Sequence, residues 1–144
     1  MTRPVGWIVV LVLLATAGCD WVTASGPETM RVRIEGEVEA VDLITSQRFL
    51  VVRLPGGGWE VSTVLSADTT QVTLPFEQTY DISRDRRFLA RVPNLQDDYQ
   101  LRVRGWLDGE ARYDQNSVTI PADSTLQIMY VFGNGQAPGG GDRL

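Results

Sequence analysis

Apolar and polar residues alternate with a period of two along most of the chain after residue 30, which is typical of β-strands with one face on a core. In Arg31–Val41, Val32 and Ile34 alternate with charged residues. The same alternation predicts further strands at Arg48–Pro55, Trp59–Leu65, Thr70–Phe76, Arg86–Val92, Tyr99–Trp106, Ala111–Tyr113, Ser117–Ile120 and Leu126–Phe132. We therefore expect an all-β domain, a single antiparallel β-sandwich of seven to eight strands.

The segments between these strands contain turn-forming residues. Pro55-Gly56-Gly57-Gly58 is expected to break the chain between two strands, and Asp108-Gly109 predicts a tight turn. Gln78–Asp85 is polar and is interpreted as turn-rich. Three apolar residues fall on outward positions of their strands, which predicts a partly covered second face that meets another subunit or the tail. They are Leu89, Met129 and Val131.

The first residues of the chain form an export signal. Arg3 precedes the apolar run Val5–Ala15, which is too short to span a bilayer, and small residues then lead to Cys19, the single cysteine of the protein. Ala17-Gly18-Cys19 resembles the lipobox of bacterial lipoproteins. That resemblance implies cleavage before Cys19 and acylation of its thiol and amino group. The alternative is an ordinary signal peptide cut near Ala17, which leaves Cys19 as a free thiol.

These features divide the chain into four parts. We expect a lipoprotein signal peptide at 1–18, a lipid-anchored tether at 19–29, the β-sandwich at 30–132 and a flexible glycine-rich tail at 133–144. Two or more acyl chains would hold the protein stably on a membrane. The expected location is therefore the cell envelope, on the periplasmic or the surface side.

Composition excludes several classes of function. The chain contains no histidine and no lysine, so histidine-based triads, histidine metal ligands and lysine Schiff bases are impossible. Without residues 1–18, 12 arginines face 18 acidic residues, a formal charge of −6. That balance argues against a nucleic-acid partner. We expect a protein that is not an enzyme, binds no cofactor or metal, and is a monomer.

The second half of the chain resembles a known family of β-sandwiches. Phe88, Pro93, Tyr99-x-Leu101-x-Val103 and Gly105-Trp106 follow in the order seen in carboxypeptidase regulatory-like, transthyretin-like domains. Gly36-Glu37-Val38 is similar to the opening of that family. The resemblance implies a scaffolding or binding module over about 30–132, and it brings no catalytic residues.

Two tryptophans are candidate ligand contacts. Trp59 and Trp106 could stack on a sugar ring, and Trp106 shares its outward parity with Arg102 and Arg104. The alternatives are a tryptophan at the edge of the core for Trp59 and a cover over an edge or loop for Trp106. Asp81–Asp85 spaces oxygen ligands like the start of a calcium loop, but neighbouring arginines oppose a cation, so a solvated turn is the preferred interpretation. The preferred interpretation of Asp97-Asp98 is likewise a pair of loop residues.

Outward arginines form the last candidate site. Arg87, Arg91, Arg102 and Arg104 are expected on the outward side of two neighbouring strands, either as a docking patch or in cross-strand pairs with the carboxylates of residues 35, 37 and 39. The preferred interpretation is pairing. The sequence as a whole predicts a lipid-anchored envelope protein that displays a β-sandwich as a structural or binding module for another envelope protein. The alternative is a carbohydrate-binding lipoprotein that uses exposed tryptophans.

Overall fold

A computed structural model describes residues 26–133, and this part of the chain is all β. No helix in it is long and apolar enough to cross a membrane. Its eight strands are β1 (Thr29–Gly36), β2 (Ala40–Arg53), β3 (Trp59–Thr73), β4 (Phe76–Asp81), β5 (Arg87–Pro93), β6 (Tyr99–Leu107), β7 (Glu110–Ile120) and β8 (Thr125–Val131). The number of strands agrees with the predicted seven to eight.

The strands form two four-stranded antiparallel sheets, as the alternation predicts. Sheet A has the order β4-β1-β6-β7, and sheet B has the order β3-β2-β5-β8. Several consecutive strands lie in different sheets, so the chain crosses between layers at residues 37–39, 74–75, 82–86, 94–98 and 121–124. The architecture is that of a β-sandwich.

The core lies between the inner faces of the two sheets. On β5 and β8 the inward residues are the predicted ones, and they are paired across the strands as Phe88↔Tyr130, Ala90↔Ile128 and Val92↔Leu126. Sheet A contributes the alternating residues of β1 and β6 on the opposite side of this core, namely Met30, Val32, Ile34, Leu101, Val103 and Leu107. Burial of this apolar surface is the main force that stabilises the sandwich.

The hairpin of β2 and β3 is much longer than its neighbours in sheet B. These strands have 14 and 15 residues, whereas β5 and β8 have seven each. Strand β2 pairs with β5 only through Ile44, Thr45 and Ser46, and its pairing with β3 is irregular between Thr45 and Val51. Such bulges bend a strand and increase its twist.

The bent end of this hairpin covers the outer face of β5 and β8. A second apolar cluster, called here the outer cluster, consists of Phe49, Leu89, Met129 and Val131, with Val51, Trp59, Val61 and Val64 packed against it. The predicted covered second face is therefore present. Within residues 26–133 its cover is the chain's own β2–β3 hairpin, and the tail predicted as a possible cover lies outside the described residues after Gly133.

Several strand predictions need correction, including Thr70–Phe76, because β3 ends at Thr73 and Phe76 begins β4. The predicted strand over residues 31–41 breaks at residues 37–39, where the chain leaves sheet A for sheet B. Gln78–Asp85 is not turn-rich throughout, because Phe76–Asp81 forms β4. β4 is an edge strand of sheet A and needs few apolar residues. Its polar sequence is therefore typical of a turn as well as of a strand. Several predicted short strands are also joined, for example into β7.

The tight turn predicted at Asp108-Gly109 is present, and the predicted break at residues 55–58 is a second turn. Asp108 and Gly109 have φ angles of 47° and 83°, the positive values that a two-residue hairpin turn requires, and they join β6 to β7. At the other turn, the N–H of Leu54 donates to the carbonyl of Gly58 at 2.8 Å. This bond closes the β2–β3 hairpin.

Phe49→Ala tests whether the outer cluster is a real second core. Phe49 is 1% exposed, and its truncation should lower the free energy of unfolding by about 3–5 kcal/mol in urea denaturation. The neighbouring Leu50, 48% exposed on the other face of the same strand, is the matched control. Leu50→Ala should change the free energy by about 0.5 kcal/mol or less. Equal effects of the two substitutions would contradict the described packing.

Candidate functional site

The outer face of sheet A carries three of the predicted site residues. Arg102, Arg104 and Trp106 alternate with buried residues along β6 and point away from the core, as their parity predicts. Strand β1 lies beside β6 and pairs Arg31 with Trp106 and Arg33 with Arg104. Together these strands and their neighbours form what is called here the arginine ladder: Arg31, Arg33, Arg102 and Arg104 with the carboxylates Glu35, Glu77 and Asp114.

Glu35 is the centre of the arginine ladder. Arg33 donates to it through Nε at 2.9 Å and also through Nη2, and Arg104 Nη2 donates from the other side at 2.7 Å. The hydrogen bond from Arg33 is the largest cause that holds the pKa of Glu35 below its usual value, and the bond from Arg104 adds to it. The same contact raises the pKa of Arg33.

The remaining arginines of the ladder are paired as well. Arg102 lies 3.3 Å from Asp114, and Glu77 lies 3.6 Å from Arg31 and 3.4 Å from Arg33. These contacts agree with the interpretation as cross-strand pairs, although the acidic partners differ from those predicted. Of residues 35, 37 and 39, only Glu35 forms an ion pair within residues 26–133. The other two lie in the crossing between the sheets.

Trp106 is part of the same surface. The Arg31 guanidinium lies 4.2 Å from the centroid of the indole ring, and the Arg104 guanidinium lies 5.8 Å from it. Both distances are within the range of cation–π attraction. The ring is only partly exposed, and Arg31 occupies a place that a stacked sugar would need.

The predicted four-arginine surface does not exist. Arg87 and Arg91 are on β5 in sheet B, whereas Arg102 and Arg104 are on β6 in sheet A, so the two pairs lie on different layers. Arg87 Nη1 donates to the carbonyl of Phe49 at 3.0 Å, and Arg91 Nε donates to Gln127 at 2.8 Å. Strands β5 and β6 are neighbours in sequence but not in a sheet, and parity alone does not reveal the crossing between them.

Trp59 lies at the start of β3 and packs against the outer cluster. It is partly buried. This position agrees with the alternative interpretation of Trp59 as a tryptophan at the edge of a core. Trp59 and Trp106 do not form a common site, because they belong to different sheets.

The acidic turns have local structural roles. Asp81 accepts hydrogen bonds from the backbone N–H and the hydroxyl of Ser83, which lower the pKa of Asp81. Asp98 accepts from the N–H of Ala122 at 2.8 Å. Residues 26–133 contain no group of three acidic, histidine or cysteine residues that could hold a metal ion. Cys19 lies outside the described residues.

A cleft opens where edge strand β4 of sheet A faces strands β2 and β3 of sheet B, and sequence reasoning missed it. Its volume is about 390 Å³, and this region is called here the open-edge cleft. Its lining consists of Leu43, Thr45, Ser46, Gln47, Asp68, Thr70, Val72, Phe76, Gln78 and Tyr80. The sequence carries no alternation that marks this strand, because three consecutive polar residues separate Phe76 from Tyr80.

Comparison with protein-family models, with curated proteins and with solved structures found no significant match to this chain. The fold and the two surfaces described above are therefore the basis for any statement about function.

Titration of Glu35 by carboxyl NMR tests the arginine ladder. The pKa of Glu35 should lie below its usual value, so its stabilising contribution is present above the unfolded-state pKa and is lost as the pH falls through the folded-state pKa. Arg33→Gln should raise the pKa of Glu35 more than Arg104→Gln does, because Arg33 is the larger cause. Arg91→Gln, on the other sheet, is the control and should leave the titration unchanged. A Glu35 pKa insensitive to Arg33 would show that the pairing is absent in solution.

Proposed function

We propose that the protein is a lipoprotein of the bacterial cell envelope that displays a transthyretin-like β-sandwich as a structural or binding module. The lipobox-like Ala17-Gly18-Cys19 supports the anchor, and the two-sheet architecture supports the sandwich. The order of Phe88, Tyr99, Leu101 and Val103 along β5 and β6 supports the more specific family assignment.

The observation that carries the proposal is that Gly26, just before β1, and Phe132, just after β8, lie together at one end of the sandwich. A Cβ atom at Gly26 would lie 2.8 Å from Cδ of Arg86 and 3.0 Å from the Phe132 ring, so the segment before β1 is in contact with the segments that precede β5 and follow β8. The N–H of Phe132 donates to the carbonyl of Arg86 at 3.0 Å and fixes this arrangement.

This arrangement determines which end of the sandwich an anchor at Cys19 would hold near the membrane. Six residues lie between Cys19 and Gly26, and the seven Cα-to-Cα steps that join the two residues reach at most about 25 Å in an extended chain. The end of the sandwich that contains Arg86 and Phe132 would therefore face the membrane, and the opposite end with residues 94–98 and 121–124 would face away. Partners would meet the sheet faces, the distal loops or the open-edge cleft.

The module acts by contact and not by catalysis in this proposal. Without histidine and lysine, the chemistry available to the chain is limited to carboxylates, hydroxyls and arginines. The ladder arginines are engaged by Glu35, Glu77 and Asp114. The alternative of sugar binding through Trp59 and Trp106 has less support, because Trp59 packs on the outer cluster and Arg31 lies over the Trp106 ring.

Metabolic labelling with a clickable palmitate analogue in a bacterial host tests the anchor. The wild-type chain should be labelled and should stay in the membrane fraction after a carbonate wash, because its acyl chains are buried in the bilayer. Cys19→Ala should abolish the labelling and release the exported chain into the soluble fraction. Cys19 is the single cysteine, so no other thiol can give the signal.

Thr16→Leu is the matched control for this experiment. It changes the signal region but introduces the leucine that lipoboxes prefer, so labelling should persist. A wild-type chain that is exported, soluble and unlabelled would overturn the proposal.

A further inference from the structure

The open-edge cleft has polar residues at strand positions that face the interior. On β4 the inward positions are Phe76, Gln78 and Tyr80, which pair with Ile34, Val32 and Met30 of the core strand β1. On β3 the inward positions are Val72, Thr70 and Asp68, which pair with Val41, Leu43 and Thr45. On β1, β5, β6 and β8 such positions are apolar.

The residues at these inward positions change from apolar to polar along the cleft. Val72 is buried and closes one end, whereas Thr70, Asp68 and Gln78 are exposed in the opening. A polar side chain at an inward strand position does not help to bury a core, and departures from the local pattern tend to mark functional sites. The departures here lie on both walls of the same cleft.

Most of the polar side chains in the cleft have no hydrogen-bond partner among residues 26–133. Ser46 and Gln47 are engaged, since Ser46 Oγ bonds to the backbone of the bulge and Gln47 Nε2 donates to the Asp81 carbonyl at 2.8 Å. The other five make no side-chain hydrogen bond within residues 26–133. They are Thr45, Asp68, Thr70, Gln78 and Tyr80. Burial raises the pKa of Tyr80, so its hydroxyl is a neutral donor and acceptor at ordinary pH.

The chemistry of this lining selects a class of ligand. Hydroxyls, amides and one carboxylate can bond to several hydroxyl groups at once, and the rings of Phe76 and Tyr80 on β4 provide an apolar wall. No basic side chain lines the cleft, so phosphates and other anions are not favoured. The volume of about 390 Å³ is within the range of about 300–1,000 Å³ found for small-ligand sites.

The geometry points to the open-edge cleft as a binding site for a neutral saccharide, with one sugar ring against Phe76 and Tyr80 and its hydroxyls bonded to Asp68, Thr70 and Gln78. This inference rests on the proposed function as a binding module and names its ligand class. The site is separate from both tryptophans, and it does not depend on the lipid anchor.

Addition of a peptide strand is the competing use of this region. Both β3 and β4 are edge strands and present unpaired backbone groups. A peptide strand added there would bond to backbone N–H and C=O groups at the edge. It would not account for the polar side chains that point inward between the sheets, so the observations favour the saccharide.

Calorimetric titration of the full-length protein tests the proposal with a panel of neutral probes: glucose, galactose, mannose, N-acetylglucosamine, maltose, cellobiose and chitobiose. At least one should bind. Thr70→Val removes one inward hydroxyl with little change of shape and should weaken binding about tenfold. Asp68→Asn should weaken it by a similar factor.

Thr69→Val is the matched control, because it removes the same group from the next residue of the same strand on the outer face of sheet B. It should leave the dissociation constant unchanged. Failure of every probe to bind, or equal effects of Thr69→Val and Thr70→Val, would overturn the proposal. Self-association with protection of the β3 backbone from hydrogen exchange, and no saccharide binding, would overturn it in favour of edge pairing between two copies. Palmitate labelling is independent of these outcomes, so the two proposals fail separately.

Discussion

Phe49 and the residues around it hold the β2–β3 hairpin across the outer face of sheet B. Without this packing, two strands of 14 and 15 residues would extend well beyond neighbours of seven residues and would expose apolar surface on both faces. The bulges after Thr45 allow the bend, and Ser46 bonds to the backbone groups that the irregular pairing leaves free. Because Thr45, Ser46 and Gln47 also line the open-edge cleft, the bend and the cleft share the same residues.

The alternation of residues was sufficient to predict the class of fold and much of the core. It placed Phe88, Ala90 and Val92 inward and Leu89 outward, because a strand's side-chain period is two whatever its partner is. It did not reveal which strands are neighbours. Sheet membership depends on where the chain crosses between layers, and this is why Arg87 and Arg102 were assigned to one surface although they lie on two.

The candidate site could be predicted only in part for the same reason. The outward direction of Arg104 and Trp106 follows from parity, but their contacts with Glu35 and Arg31 come from β1, some 70 residues earlier in the chain. The open-edge cleft was missed because Gln78 and its polar neighbours were interpreted as a turn. Polar residues at inward positions of an edge strand cannot be distinguished from loop residues until the sheet is known.

The position of β1 in sheet A has a consequence for the order in which the protein folds. It is the first strand of the sandwich, yet it lies in the interior of its sheet between β4 and β6. Both of its partners are made later, and Leu107, which pairs with Met30, is synthesised 77 residues after it. Sheet A therefore cannot be completed until most of the domain has been synthesised. Until then β1 lacks at least one of its partner strands in sheet A, and the folding of this sheet depends on contacts between residues far apart in the sequence, which slow folding.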